Sequence, residues 1–114
     1  MQNCTPILTE TVTAASAIAA QRFVSPALAQ TGAAGNAYGV SRYAGVAGDK
    51  IPVDLMGTTV VEAGAAISAG ALVESDASGR AVTHSAGVIL GRLAPGDAGA
   101  SAAGQFVEVI LFPN

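Results

Sequence analysis

Two stretches of this chain carry the same pattern of residues. Residues 11–24 read TVTAASAIAAQRFV, and residues 60–73 read VVEAGAAISAGALV. The identical positions are Val12 and Val61, Ala14 and Ala63, Ala17 and Ala66, Ile18 and Ile67, Ala20 and Ala69, and Val24 and Val73. An internal repeat indicates that one structural unit occurs twice, and a unit of about fifty residues buries too little surface to fold alone. The repeat therefore predicts one compact domain made of two similar lobes.

The similarity continues towards the end of each half. The segment GVSR at residues 39–42 is matched by GVILGR at residues 87–92. The segment AGDKIPVDL at residues 47–55 is matched by AGQFVEVIL at residues 103–111. Both members of this second pair alternate apolar and other residues, which is typical of β-strands.

These patterns predict a mainly β protein. Helix evidence is thin, because the alanine-rich stretch of the first copy is short and its counterpart in the second copy contains glycines. We expect a small β-barrel or sandwich built from two similar β lobes. A single β domain is expected over residues 11–114, with the pseudo-repeat at residues 11–55 and 58–112.

The first ten residues precede the first copy of the repeat. They contain Pro6 and several threonines, and we predict either an edge strand or a free extended arm. An extended terminal segment adds a strand to the sheet of a partner, and the affinity comes from backbone hydrogen bonds. Residues 1–10 are therefore a candidate N-terminal arm.

Charge excludes one class of partner and favours another. Only 11% of the residues are charged and the net charge is −3, without a cluster of lysines or arginines. Direct nucleic-acid binding requires a basic surface that neutralises phosphates, so it is not expected. A surface dominated by Ala, Gly, Ser and Thr is typical of a subunit that lies against other chains.

The alanine-rich N-terminal region does not fit a signal peptide or a membrane span. Glu10 and Arg22 interrupt it, and no basic residue precedes it. No stretch reaches the roughly 18 apolar residues that cross a membrane. We expect synthesis in the cytoplasm and no membrane association. Cys4 is alone, so neither an internal disulfide nor a zinc site is expected.

Two predicted strands have informative faces. Along residues 50–56, Ile51, Val53 and Leu55 are expected to face the core, and Asp54 to face outward. Residues 105–112 place Val107, Val109 and Leu111 on one face and Phe106, Glu108, Ile110 and Phe112 on the other. Because both of those faces carry apolar groups, this is either a central strand or one whose outer face meets a neighbouring subunit.

No catalytic, metal or cofactor site is predicted. His84 could pair with Ser75 or Ser85 and be oriented by Asp76, but the sequence has no strained nucleophile turn. It is better explained as an exposed polar residue.

Two further groups of charged residues are candidate sites. The carboxylate pairs Asp49/Asp54 and Glu74/Asp76 lack the spacing of a calcium loop, and solvated faces explain them better. Lys50 is the one lysine, but it lacks the hairpin-tip context of a domain that carries biotin or lipoate.

The second half of the chain resembles a known family. The segments AGAAISAGALVESDASGRAV at residues 63–82 and GVILGRLAPGDAGASAAGQFVEVIL at residues 87–111 resemble the capsid cement, or head decoration, proteins of tailed bacteriophages. Shared motifs are the Ala-Gly-x-x-Ile-x-x-Gly-x-Leu-Val turn, a hairpin containing glycine, and the terminal alternating strand. The resemblance covers residues 58–112, with a weaker echo over residues 11–55.

This resemblance implies a small β protein that binds the outer surface of the expanded shell of major capsid protein. There it would stabilise the head against the pressure of the DNA. Such proteins form homo-oligomers, for which a trimer is preferred here and a dimer is the alternative. The residues expected to bind the capsid are Ile7, Leu8 and Val12, and those expected between subunits are Phe106, Ile110 and Phe112.

A second function class stays open at this point. A tail or baseplate component, or a β module that recognises a host-surface glycan, would have a similar composition. Sugar sites stack rings on exposed aromatic side chains, and the candidates in this sequence are Tyr38 and Tyr43.

Overall fold

The computed structural model describes residues 5–112, which form ten β-strands and no helix. The strands are β1 Thr5–Thr13, β2 Phe23–Val24, β3 Gly39–Ser41, β4 Lys50–Glu62, β5 Ile67–Ser68, β6 Leu72–Ser75, β7 Ala81–Thr83, β8 Gly91–Leu93, β9 Gly99–Ala100 and β10 Phe106–Leu111. The main sheet has the order β2-β3-β4-β10-β8-β6-β7, and β1 pairs with β4. A separate two-stranded sheet joins β5 to β9. The predicted mainly β fold is confirmed.

The main sheet curls back on itself in the second half of the chain. Strand β7 returns to the residue that follows β4, where Ala81 forms a parallel bridge with Ala63. The amide of Gly64 donates a hydrogen bond to the carbonyl of Ala81 at 2.7 Å. Strands β4, β10, β8, β6 and β7 therefore enclose a nearly closed barrel.

Two apolar clusters fill the interior. The larger cluster draws most of its residues from the second half of the chain and contains Phe23, Ala37, Val40, Val61, Ala63, Ile67, Val73, Ala81, Leu90, Leu93, Ala100, Val107 and Val109. The second core is built from the first half and contains Ala14, Ile18, Val24, Ile51 and Val53, with Val12, Tyr38 and Leu55 packed against it. Strand β4 contributes to both clusters.

The same strand pairing occurs in both halves of the chain. The pairs in the first half are Val12 with Ile51 and Thr13 with Lys50, and those in the second half are Val61 with Val107 and Glu62 with Phe106. The backbone of Ala14 bonds to Asp49 and Gly48, as that of Ala63 bonds to Gln105 and Gly104. The repeated residues thus occupy equivalent places in two similar arrangements of strands.

A glycine in each half allows three strands to pack closely. Gly39 pairs with Val24, and Gly91 pairs with Val73. A Cβ atom on Gly39 would meet the carbonyl oxygen of Asp54, and one on Gly91 would meet that of Ile110. The sequence comparison had matched Gly39 with Gly87. The structure instead places Gly91 at the equivalent position.

Strand β1 is an edge strand of the described chain. Residues from Thr5 to Thr13 pair antiparallel with β4, and irregularities in register lie on either side of Leu8. The sequence left two alternatives for the N-terminal segment, an edge strand or a free arm. Residues 5–10 form the edge strand. Residues 1–4 of the candidate arm, with Cys4, lie outside the described residues.

Glu74 on β6 is buried, so its interpretation as part of a solvated face was wrong. Its side chain is 7% exposed, and Oε1 accepts hydrogen bonds from the amides of Ser85 at 2.7 Å and Gly87 at 3.0 Å. These bonds, with that of Ser85 the strongest, hold the pKa of Glu74 below its usual value despite burial, and the charge of His84 acts in the same direction. The carboxylate thereby fixes the loop after β7.

This environment predicts a pH-dependent contribution to stability. A carboxyl group whose pKa is lowered by folding stabilises the protein above its ordinary pKa, and that contribution is lost as the pH falls through the folded-state pKa. Glu74→Gln should lower the free energy of unfolding by about 1 to 3 kcal/mol near pH 7. The difference from the wild type should shrink as the pH falls. Urea denaturation between neutral and acidic pH measures it, and a difference that stays constant with pH would contradict the assignment.

Candidate functional site

The groups considered for catalysis are engaged with the backbone. His84 Nε2 lies 3.0 Å from the carbonyl oxygen of Gly87. The hydroxyl of Ser75 donates to the carbonyl of Asp76 at 2.9 Å. Within residues 5–112, no group of three or more His, Cys, Asp or Glu side chains could hold a metal ion. No helix in the described part of the chain is long and apolar enough to cross a membrane.

A buried carboxylate lies where β1, β3 and β4 meet. Asp54 is 1% exposed, so its predicted outward orientation and solvated environment were wrong. Its Oδ1 accepts from Arg42 Nη2 and from the hydroxyl of Thr9, both at 2.8 Å, and Oδ2 accepts from the hydroxyl of Thr59 at 2.8 Å. Side chains from β1, from β4 and from the residue after β3 therefore cover this carboxylate, although alternation had placed it outward.

A recess of about 380 Å³ opens beside this carboxylate. Its walls are formed by Pro6, Gln21, Arg42, Asp54, Thr59 and Val60. Both oxygens of the carboxylate already accept hydrogen bonds from groups of the same chain. The cluster therefore joins three strands and is not an open ligand site.

Four charged side chains connect the two halves. Glu62 accepts from Arg22 at 3.2 Å and lies 3.6 Å from Arg80, and Arg80 also contacts Asp76 at 3.1 Å. Arg22 additionally donates to the carbonyl of Ser78 at 2.9 Å. This network ties β2 and β4 to the hairpin of β6 and β7. Although the chain has few charged side chains, these four are used for contacts within the fold.

The remaining exposed surface carries large apolar side chains in three places. Ile7, Leu8 and Met56 lie on β1 and β4, and Leu8 is the cross-strand partner of Met56. Tyr43 and Val46 project from the turn between β3 and β4, and Phe106 and Phe112 lie at the start of β10 and just after its end. Exposed apolar side chains that lie together, as Leu8 and Met56 do, are candidates for a contact with another molecule.

The residues predicted to bind the capsid differ in their exposure to solvent. Ile7 is 77% exposed and Leu8 is 43% exposed, so both side chains are available on the surface. Val12 is half-buried and packs against the second core. Met56 belongs beside Leu8 and was missed, although the alternation of residues 50–56 would place it on the side opposite the core residues.

The residues predicted to lie between subunits follow one strand. Strand β10 is central, between β4 and β8, and Phe106 and Phe112 are exposed by 40% and 37%. Ile110 is half-buried, and its cross-strand partners are Thr58 and Arg92. Because Phe106 and Phe112 are six residues apart, they lie roughly 20 Å from each other. These side chains are therefore spread along β10 and do not form one compact cluster.

A shallow recess of about 540 Å³ adjoins Ile110. It is lined by Ala69, Gly70, Arg92, Leu93, Ala94, Pro95, Gly96, Asp97 and Ile110. The buried Asp97 shapes its rim, because the two carboxylate oxygens accept from the amides of Gly99 and Glu108 at 2.8 Å each. Arg92 is the exposed charged group of this recess, and sequence reasoning had not selected it as a site residue.

Comparison with known proteins gives a family and a fold. A family model described as phage cement protein matches residues 1–111. A similar fold occurs in the crystal structure of the N base of head fiber gp8.5 in bacteriophage phi29, with a TM-score of 0.72 and 18% sequence identity. That alignment covers 92% of this chain and 93% of the other. Among curated proteins, no sequence matches the chain.

The buried contacts of Asp54 predict a loss of stability on substitution. Asp54→Ala should lower the free energy of unfolding by about 2 to 3 kcal/mol, because it removes three hydrogen bonds and leaves Arg42 without its carboxylate. Thr11→Ala, at an exposed position of the neighbouring strand, is the control and should change it by less than about 0.5 kcal/mol. Urea denaturation followed by circular dichroism measures both, and equal effects would contradict a structural role for Asp54.

Proposed function

The chain belongs to the phage cement protein family, and from this membership we propose that it binds the major capsid protein on the outer surface of the expanded head. As a cement protein of the phage capsid it has a structural role. The proposal adds that it stabilises the head against the pressure of the packaged DNA, and that it is made in the host cytoplasm before it joins the virion.

The observation that carries this proposal is the family match over nearly the whole chain. The surface supports it, because charged side chains are few and large apolar side chains are exposed in three places. The free energy falls when a second protein covers such a surface, because apolar side chains are removed from water.

The proposed contact with the shell is the patch formed by Ile7, Leu8 and Met56. Ile7 and Leu8 lie on β1, which pairs with β4 alone among the described strands. The other edge of β1 therefore offers backbone groups to an extended segment of the capsid protein. Val12, the third residue predicted for this contact, supports β1 from the second core.

The proposed contact between copies is the outer face of β10, with Phe106, Ile110 and Phe112. We propose a homo-oligomer, preferably a trimer, because identical subunits that close a ring around a symmetry axis satisfy the same patch on every copy. Several linked copies also bind a symmetric shell through avidity, so that no single contact needs to be strong.

The glycan-binding alternative receives less support from the surface. The ring of Tyr38 packs against the second core, and burial, followed by the charge of Glu10, raises the pKa of its hydroxyl. Tyr43 remains as an exposed aromatic side chain in the turn after β3. Of the two tyrosines predicted for stacking, Tyr43 is thus the exposed one, and one tyrosine ring is a poor platform for a sugar, since such sites usually combine stacking with several polar contacts.

Shell binding is tested by co-sedimentation with expanded capsids of the parent phage that lack the protein. The wild type should bind saturably, in a fixed ratio to the major capsid protein, and should raise the temperature at which the heads are disrupted. Ile7→Asp and Leu8→Asp should each weaken binding about tenfold or more, because a charge is placed in the apolar contact. Ala77→Asp, at the exposed turn of the β6–β7 hairpin, is the matched control.

Circular dichroism must show that these variants are folded. Point substitutions are preferable to deletion of residues 1–10, because that deletion would remove most of β1 from its pairing with β4. Retained binding by both folded Asp variants would disprove the role of this patch. Absence of wild-type binding would contradict the proposed shell partner itself.

The contact between copies is tested at Ile110. Ile110→Asp should yield monomers in size-exclusion chromatography with light scattering, because the charge would be buried between subunits. Phe106→Asp tests the same face at a more exposed position and is less prone to disturb the sheet. An unchanged oligomer for both folded variants would show that this face does not join the copies.

A further inference from the structure

Most cations of this chain are neutralised within the fold. Arg22, Arg42 and Arg80 each form an ion pair with an acidic side chain. Within residues 5–112, Arg92 and Lys50 take part in no ion pair or side-chain hydrogen bond. Lys50 lies at the start of β4 beside a turn, whereas Arg92 lies within the main sheet.

Arg92 lies in a mostly apolar part of the surface, and the carboxylate of Asp97 in the same recess is held by backbone amides. It is exposed on β8, and its cross-strand partners are Ile110 on β10 and Leu72 on β6. A guanidinium among apolar side chains is well suited to a carboxylate, which it binds through paired hydrogen bonds. If a partner covered this face without supplying a carboxylate, the buried charge would oppose the contact.

Among the acidic side chains of the described residues, one is likewise without a partner. Asp54, Glu62 and Asp76 form ion pairs. Asp49, Glu74 and Asp97 accept hydrogen bonds from backbone amides, and Glu108 is buried and has a contact of its own. Glu10 is exposed and has neither an ion pair nor a hydrogen bond among the described residues.

Glu10 lies on β1 two positions beyond Leu8, past the irregularity in register that separates Leu8 from Thr9. It is in register with Val53, a residue of the second core, and Val12 lies on the same side two positions further on. The adjacent Thr9 instead turns to Asp54. Glu10 therefore presents a carboxylate beside a half-buried apolar side chain.

Arg92 and Glu10 are too far apart to pair within one molecule. Strands β8 and β1 are separated in the sheet by β10 and β4. Three strand spacings amount to about 14 Å, well beyond the reach of an ion pair. The two charges are thus complementary groups on different sides of the same chain.

We propose that Arg92 of one copy pairs with Glu10 of the next copy in the homo-oligomer. The contact joins two different surfaces, so it is head-to-tail, and repetition around an axis closes a ring such as the preferred trimer. Ile110 beside Arg92 would meet Val12 beside Glu10 at the apolar part of this contact. The inference rests on the proposed homo-oligomer and names the two surfaces that form it.

Because this surface carries few charges, one charge pair has a large effect on how two copies are oriented in the contact. Charge complementarity fixes the register of an interface and rejects wrong orientations, because like charges placed together cost several kcal/mol. The patch of Ile7, Leu8 and Met56 takes no part in this contact and remains available to the shell.

Charge reversal tests the pair in the full-length protein. Arg92→Glu and Glu10→Arg should each weaken self-association by about tenfold or more in sedimentation velocity. The double variant, with both charges exchanged, should recover association to within about threefold of the wild type. Lys50→Glu makes the same change at the other unpaired cation and should leave association unchanged.

Each contrary outcome has a distinct meaning. Unchanged association in both single variants, or a double variant no better than the singles, would overturn the pairing while the proposed oligomer stands. An Arg92→Glu protein that keeps its oligomer but binds capsids more weakly would assign Arg92 to the shell instead. A monomeric wild type, both free and on the shell, would overturn the proposed oligomer and this pair with it. Circular dichroism confirms that each variant is folded.

Discussion

The continuous strand β4 is the element on which the rest of the structure depends. Its first part pairs with β1 and β3, and its second part pairs with β10. It contributes Val53 to one core and Val61 to the other. Each half alone is too small to bury a stable core, so the shared strand makes a single domain out of two similar arrangements. The buried Asp54 and its partners join β1 and β3 to β4.

Most arginines of this protein pair with acidic side chains of the same chain, and this leaves the outer surface with few charges. The network of Glu62, Arg22 and Arg80 ties the halves together, and Arg42 is held by Asp54. Few charges are left over for the surface, which consists largely of small and apolar residues. The proposed contacts with a shell and with other copies suit this division, because burying small and apolar groups costs less desolvation free energy than burying charges.

The candidate sites were only partly accessible to sequence reasoning. Alternation along residues 105–112 indicated two apolar faces for the last strand, and the structure places that strand in the centre of the sheet. Exposure of Ile7 and Leu8 agrees with a role at the surface, whereas Val12 packs against the second core. Arg92 was not selected, because a lone arginine gains meaning only when its neighbours across the sheet are known. The functional roles of these residues remain predictions.

The sequence by itself determined the mainly β class, the twofold repetition of its pattern and the hairpin between β6 and β7, because alternation and turn residues act locally. Only the tertiary structure decided what covers each strand face. The sequence predicted a solvated environment for Asp54 and Glu74, yet both are buried. Their hydrogen-bond donors come from residues that the periodicity of a single strand does not bring together. The equivalence of Gly39 with Gly91 likewise emerged only from strand pairing, because loops of unequal length hide the register.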